Sequence, residues 1–384
     1  MSRAHAGTSS DAVPFLDLTP TTQVVRDQVL AGWSALLDTN HFIGGEAVQR
    51  FERAWAAYCQ RHHAIGVANG TDALHLSMRA LGLGPGDDVV VPANTFVATA
   101  EAVVLAGARP VFADVDPDTL LLTPETLVAA LTPRTRAVAV VHLYGQMPDM
   151  DALGRVAEEH GLFVIEDMAQ AHGATWRGRR AGSFGIAACT SFYPGKNLGA
   201  FGDGGAVVTD DDGLAETIRA LRDHGRAGTS HHEHVHVGTN SRLDAVQAVV
   251  LETKLPLLDG WNARRRQVAA VYRELLDPVA APLVAELEGS RGVYHLAVVR
   301  VRDRERVRAE LAELGIGTGI HYATPCHLMA PYRHLTDRSL PVVEADAARL
   351  LSLPMSPAMT VGDAERVAKT VNEVAAEGAE GAPS

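Results

Sequence analysis

The chain has 384 residues, 47% hydrophobic and 21% charged, which is enough to bury more than one core. Lys and Arg number 34 against 46 Asp and Glu; the net charge of -12 argues against nonspecific nucleic-acid binding but leaves room for a small anion held by local donors. No run of about 18 apolar residues occurs, so no membrane span is expected. The three cysteines, Cys59, Cys189 and Cys326, lie far apart and suggest neither a disulfide framework nor a zinc cluster. A reduced, cytoplasmic setting is the expectation. Residues 1–12 are mostly small and polar, lack an apolar signal-peptide core and are expected to form a disordered lead. A disordered tail is expected over 377–384.

Apolar spacing predicts a helix over Val24–Leu37, a break at Phe42-Ile43-Gly44-Gly45 and a second helix over Ala47–Tyr58. Ala64–Ala68 reads as a strand, followed by Asn69-Gly70-Thr71-Asp72 and a helix over Ala73–Leu81. A turn from strand to helix N-terminus can hold phosphate through free N–H groups and the helix dipole. Asn69 or Thr71 acting as a plain N-cap is the alternative. Strands over Asp88–Val91, Pro110–Ala113, Ala137–His142 and Leu162–Ile165 then alternate with helices over Thr95–Ala106, Pro124–Leu131 and Met150–His160. The strands are short and apolar with little alternation, as in a mostly parallel sheet covered on both faces. Ligands of such sheets sit beyond the carboxyl ends of the strands. Asp167 emerges there from a buried strand and needs a partner, either a pyridinium N–H or an ordinary cap or ion pair. Phe96 would stack on a flat ring or join the core. His172 would line the site or be a satisfied loop histidine.

Between apolar stretches at Ile186–Cys189 and Ala206–Val208 runs Ser191-Phe192-Tyr193-Pro194-Gly195-Lys196-Asn197-Leu198-Gly199-Ala200-Phe201-Gly202-Asp203-Gly204-Gly205. A lysine held at a sheet end between two strands is desolvated, which lowers its pKa and frees its lone pair for attack on a carbonyl. Lys196 is therefore a candidate Schiff-base lysine, against the alternative of a solvated turn. Asn197 stands where a phosphate-binding P-loop has Ser or Thr, which removes that motif's Mg²⁺ ligand. A helix over Leu214–Leu221 follows. His232-Glu233-His234-Val235-His236 matches the metalloprotease pattern, which works only on a helix. The bracketing Gly228 and Gly238 argue for a loop, and no metal site is expected. A helix beginning at Asn240–Asp244 and reaching Lys254 leads past Pro256 to a long helix over Trp261–Leu276, basic on one side through Arg264, Arg265 and Arg266. Beyond lie an expected strand over Val293–Val301, a helix over Arg304–Leu314, a turn and strand over Gly315–Tyr322, and helices over Glu344–Leu351 and Ala364–Ala376.

These segments together resemble the DegT family of sugar aminotransferases, within the fold type I pyridoxal-phosphate enzymes. Phe42–Gly45, Gly70–Leu74, Pro92–Ala100, His142–Gln146, Glu166–Gly173, the lysine loop, Asn240–Asp244 and Gly317–Tyr322 carry the resemblance, from about Phe15 to about Val371. It implies an α/β large domain (13–255) and a small C-terminal α+β domain with its connecting helix (256–376). Pyridoxal 5'-phosphate (PLP), cycling through its pyridoxamine form (PMP), would be the cofactor. Lys196 would hold it as a Schiff base and Asp167 would pair with its ring nitrogen. Gln170 would lie near its phenolic oxygen, and Phe96 would stack on the ring. Gly70, Thr71 and Ser191 would hold the phosphate. Asn240 would reach the phosphate of a neighbouring subunit, so a homodimer with shared sites is implied. His321 and Tyr322 are candidates for contact with a nucleotide sugar, or for small-domain packing. Met168 and Asn69 stand where the family usually has Ala and Ser. The implied reaction is ping-pong transamination from glutamate to a keto sugar nucleotide, a dTDP-linked 6-deoxyhexose, for amino-sugar biosynthesis. C3 and C4 of the sugar remain open, with Pro194–Gly199 leaning to C3. The competing readings are a PMP-dependent dehydratase, which would carry His at the Lys196 position, a non-catalytic regulator on the same fold, and a zinc hydrolase using His232, Glu233 and His236.

Overall fold

The computed structural model describes residues 12–226, 228 and 232–377. The expected lead (up to residue 11) and the tail from 378 lie outside them. The helices in chain order are α1 (Thr19–Thr39), α2 (Gly45–Tyr58), α3 (Gly70–Ala80), α4 (Ala98–Leu105), α5 (Pro124–Ala130), α6 (Met150–Glu159), α7 (Asp212–Leu221), α8 (Ala245–Lys254), α9 (Leu258–Leu275), α10 (Arg304–Glu313), α11 (Pro341–Ala347) and α12 (Val361–Glu377). The strands are β1 (His63–Val67), β2 (Asp88–Pro92), β3 (Arg109–Ala113), β4 (Thr135–Val141), β5 (Phe163–Asp167), β6 (Thr175–Trp176), β7 (Arg179–Arg180), β8 (Ala187–Ser191), β9 (Gly205–Thr209), β10 (Ser290–Arg291), β11 (Ala297–Arg300) and β12 (Leu350–Leu353).

Seven strands form one sheet in the order β1-β9-β8-β5-β4-β2-β3. β3, β2, β4, β5 and β8 run parallel, while β9 is antiparallel to both neighbours, β8 and β1. Successive residues of each strand enter different apolar clusters. Val90, Val138, Val140 and Ala188 join Phe51 and Trp55 of α2 on one face; Val89, Val91, Ala137, Ala139 and Cys189 join Leu74 and Met78 of α3 on the other. Both faces are thus covered, which is why these strands lack polar alternation. The pairing places the carboxyl ends of β1, β2, β4, β5 and β8 along one edge of the sheet. Asn69–Thr71, Asn94–Phe96, His142, Asp167 and Ser191 therefore converge there.

The C-terminal elements build their own apolar cluster, with Tyr272 of α9, Leu311 of α10 and Val367 and Val371 of α12 packed over the antiparallel β11–β12 pair. Several expectations fail locally. Leu350–Leu353 is a strand, not the end of a helix, because its residues pair with β11 and are buried on every position. Gly315–Tyr322 forms no strand; isolated bridges tie Ile316 to Val13 and Gly319 to Ser352. The strand expected from Val293 starts only at Ala297, after Tyr294 takes a positive φ of 45°. Thr95 precedes its helix, which begins at Ala98. The helix expected from Asn240–Asp244 starts only after Asp244, while Asn240 bridges Asp223. Arg265 is not on a solvent face; it is buried. α12 reaches Glu377, one residue into the expected tail.

Candidate active site

A cavity of ≈ 700 Å³ opens at the carboxyl edge of the sheet, between it and the C-terminal elements. Gly70, Thr71, Phe96, Asp167, Gln170, Ser191, Lys196, His321 and Tyr322 all border it. Nine of the ten sequence-derived site residues thus meet in one place. Asn240 is the exception, exposed and outside this wall.

Each side chain is placed by a local cause. β8 leads into Ser191, and a sharp turn then carries Lys196 back over the sheet edge. Gly199 permits that turn, since a Cβ there would lie 2.3 Å from the Pro194 carbonyl oxygen. The loop is anchored from below. Asn197 Nδ2 donates to Asn262 Oδ1 (2.9 Å) and to the Val293 carbonyl (3.0 Å), and Leu198 N–H donates to His172 Nδ1 (3.3 Å). His172 Nε2 in turn lies 2.6 Å from Thr190 Oγ1. His172 is therefore a support beneath the lysine loop, and burial holds it neutral with a pKa of about 3. Burial likewise lowers Lys196 to about 8, while the Asp167 charge pulls the other way.

Asp167 is the last residue of β5. Its Oδ2 accepts from Thr99 Oγ1 (2.8 Å) and its Oδ1 from the Ala169 N–H (3.2 Å). Among the described residues it forms no ion pair, although it is only 7% exposed. A buried carboxylate in that state is costly unless a cation completes the site. Gly70 opens α3 opposite Ser191, and a Cβ there would lie 2.6 Å from the Ser191 Cβ. That closeness brings the Ser191 hydroxyl and the first N–H groups of α3, which have no helical carbonyl to bond, to one spot. Asn69 both lines the cavity and caps α3, accepting from Asp72 N–H at 2.8 Å. The donor set thus fits a cofactor with an anionic phosphate at one end, a protonated ring nitrogen at the other and a carbonyl within reach of Lys196.

Gln170 Nε2 donates to Tyr322 Oη (2.9 Å), and its Oε1 accepts from Tyr144 N–H (2.7 Å). Tyr144 Oη donates to the His321 carbonyl (2.5 Å), and His321 Nδ1 lies 2.8 Å from Ser352 Oγ. The strand-end loops are thereby tied to the segment that closes the cavity. Phe96 faces Tyr322 with ring centroids 5.9 Å apart. Burial, then the Lys196 charge, lowers His321 to about 4. Met168 is fully buried in the apolar cluster that also holds Trp55 and Phe192, and it does not border the cavity.

Sequence reading missed Thr99, Arg265 and His295. Thr99 follows Thr95 by one helical turn, and the two hydroxyls lie 2.9 Å apart. His295 borders the cavity with its Nδ1 3.3 Å from Asn197 Oδ1. Arg265 was hidden in a run of three arginines. The His232–His236 segment is exposed and non-helical, with His234 bridged to Arg226. The helix its metal pattern requires does not form, and among the described residues no group of three or more His, Cys, Asp or Glu could hold a metal ion.

A family model for the DegT/DnrJ/EryC1/StrS aminotransferases matches residues 25–372. The chain is 45% identical over 370 residues to the dTDP-3-amino-3,4,6-trideoxy-alpha-D-glucose transaminase of Streptomyces venezuelae, covering 94% of this chain and 96% of that one. It is 42% identical over 366 residues to a pleiotropic regulatory protein of Geobacillus stearothermophilus, covering 94% and 98%. The crystal structure of S. venezuelae DesV in complex with a ketimine intermediate matches with a TM-score of 0.92 and 45% identity, over 95% of this chain and 99% of that one.

Proposed function

The chain belongs to the DegT/DnrJ/EryC1/StrS aminotransferase family, and on that premise we propose that it moves an amino group from glutamate to a keto carbon of a dTDP-linked deoxysugar, using pyridoxal 5'-phosphate. The reading rests on one observation: Lys196, Asp167 and the Gly70–Ser191 cradle stand on the wall of a single cavity. Ser191 and the first N–H groups of α3, at Gly70 and Thr71, take the phosphate. Asp167, steadied by Thr99 and Ala169, accepts the ring N–H and keeps that nitrogen protonated. Bound there, pyridoxal phosphate supplies an electron sink for the pair left when a C–H bond beside the amine breaks. Phe96 covers the ring from the cavity side.

Lys196 has two tasks. Its Nζ is the covalent anchor of the cofactor. Once the donor's amine takes its place, the same nitrogen takes the proton from the donor's α-carbon, and it returns a proton to the sugar carbon in the second half of the cycle. Attack on the cofactor and proton removal both need a neutral amine, and burial brings its pKa down to about 8, so far more of it is neutral near physiological pH than of an ordinary lysine. A dehydratase of this fold would lack that lysine, and a purely regulatory protein would have no use for a desolvated one. Asn240, exposed beside Asp223, would reach the phosphate of a second subunit in a homodimer. C3 is the favoured carbon: the lysine loop leans that way, and the S. venezuelae relative is named for a 3-amino product.

Protein loaded with pyridoxal phosphate should be yellow, bleach with glutamate and recover its colour when a keto sugar nucleotide is added. Assaying thymidine- and uridine-linked 3-keto and 4-keto sugars identifies the acceptor. A colourless protein, or one that glutamate fails to bleach, contradicts the proposal.

A further inference from the structure

A second cavity, of ≈ 750 Å³, shares no wall residue with the active site. Two elements build it. In the small sheet β10-β6-β7, Arg180 pairs with Thr175 and Thr175 with Arg291, so the three form one row across the strands. Residues opposite one another on neighbouring strands face the same side. Asp259, Ala263 and Arg266 of α9 supply the other wall; they follow one another a helical turn apart and so share a helix face. Three guanidiniums thus stand in this wall with one carboxylate, in a chain whose net charge is -12.

That carboxylate is already engaged. Asp259 Oδ2 accepts from Arg180 Nη2 (2.9 Å), and its Oδ1 accepts from Arg180 Nη1 (3.2 Å) and Tyr58 Oη (2.7 Å). Glu286, the other acid whose charge reaches Arg266, accepts from Tyr294 Oη (2.6 Å), Arg273 Nη2 (3.2 Å) and the Gly292 N–H. Among the described residues, the side chains of Arg266 and Arg291 make no hydrogen bond or ion pair. Arg266 is half-buried; burial first, and the Arg291 charge second, lower its pKa. Two like charges gathered in one cavity with their donors unengaged draw an anion more strongly than either does alone. Ala263 is the largest apolar side chain of the wall, and no aromatic ring stands there to stack on a base. The wall therefore reads charge and not a nucleoside. We propose that this cavity is a second binding site, for a compact phosphate-type anion gripped by the guanidinium forks of Arg266 and Arg291. Arg180, tied to Asp259, completes the positive wall. The assignment stands apart from the reaction proposed above.

The test is isothermal titration of the pyridoxal-phosphate-loaded protein with inorganic phosphate, in a chloride buffer of constant ionic strength. Loading keeps the cradle at Gly70 and Ser191 filled. Wild type should bind one phosphate per chain saturably. Arg266→Gln and Arg291→Gln should each weaken binding roughly 10-fold or more, as expected for lost charge-assisted hydrogen bonds, and the double variant should show none. Absorbance of the bound cofactor should stay at its wild-type level in all three. Arg264→Gln removes the same charge from an exposed position on α9 outside this wall, and should bind phosphate like wild type. No saturable binding in the wild type overturns the proposal. Undiminished binding in the double variant also overturns it, because the anion then sits elsewhere. An equal loss in Arg264→Gln would be the signature of net charge alone, and loss of cofactor together with phosphate that of a structural role; either result contradicts the assignment.

Discussion

Thr99 Oγ1 donates a hydrogen bond to Asp167 Oδ2 at 2.8 Å, inside the protein and in the first turn of α4. One oxygen of the carboxylate is thereby fixed before any ligand arrives, and the group stays ready to accept a ring N–H. Hydrogen bonds to charged groups are worth about 1.5–3 kcal/mol. Thr99→Val keeps the shape and removes the donor. Its dissociation constant for pyridoxal phosphate, followed by absorbance titration, should rise roughly 10-fold or more. Unchanged affinity would reduce Thr99 to packing.

Lys196 must be neutral to attack the cofactor carbonyl, and burial lowers its pKa to about 8. Below that value the amine is protonated and inert; above it the amine is free. The rate of cofactor loading onto apoprotein should climb with pH and level off above about pH 8. Stopped-flow absorbance measures it. A plateau reached only near the ordinary lysine value, about 10.4, would mean that the amine is not desolvated.

Gln170 and Tyr322 share a hydrogen bond that joins the end of β5 to the segment closing the cavity. Gln170→Ala, Tyr322→Phe and the double variant form a cycle. Coupled residues of this kind deviate from additivity by about 0.5–3 kcal/mol. In kcat/KM for the sugar nucleotide, the double variant should therefore lose less than the product of the two single losses. Simple multiplication would show that the bond does not operate in the working enzyme.

Glu166 lies beneath the site, fully buried. Its Oε1 accepts from Phe184 and Gly185 N–H and its Oε2 from Gly182 N–H, each at 2.8 Å, with His142 Nε2 also 2.8 Å from Oε2. Burial alone would raise its pKa, but the His142 contact and these N–H donors outweigh it and hold the carboxyl below its usual value. The stabilisation is therefore present above the unfolded pKa and lost as pH falls through the folded one. Glu166→Gln, which cannot accept from all these donors, should cost about 3–5 kcal/mol in urea unfolding at neutral pH. It should also weaken the dependence of stability on acid. A variant as stable as wild type would contradict this.

What the sequence revealed followed from burial and spacing. β2, β4 and β5 were legible because strands covered on both faces read as continuous apolar runs, and Asp167 was found as the residue at the end of β5; Ser191, at the end of β8, entered with the family resemblance. β12 was not legible, since Leu350–Leu353 gains its identity only by pairing with β11, over fifty residues away. Arg265 was misread for a related reason. Three consecutive arginines look like a solvated face, and only the fold turns one of them inward onto the carbonyls of Tyr294 and Met355. Thr99 gave no local sign, because its partner belongs to another strand end. Pair contacts between distant segments are what sequence periodicity leaves out.

The most direct test of the account is turnover by Lys196→Ala saturated with pyridoxal phosphate, with glutamate as donor and a keto sugar nucleotide as acceptor. The variant should still retain cofactor through gel filtration, held by the Gly70–Ser191 cradle and Asp167, yet transfer no amino group above background. Transamination at the wild-type rate would make Lys196 ordinary scaffold and contradict the mechanism.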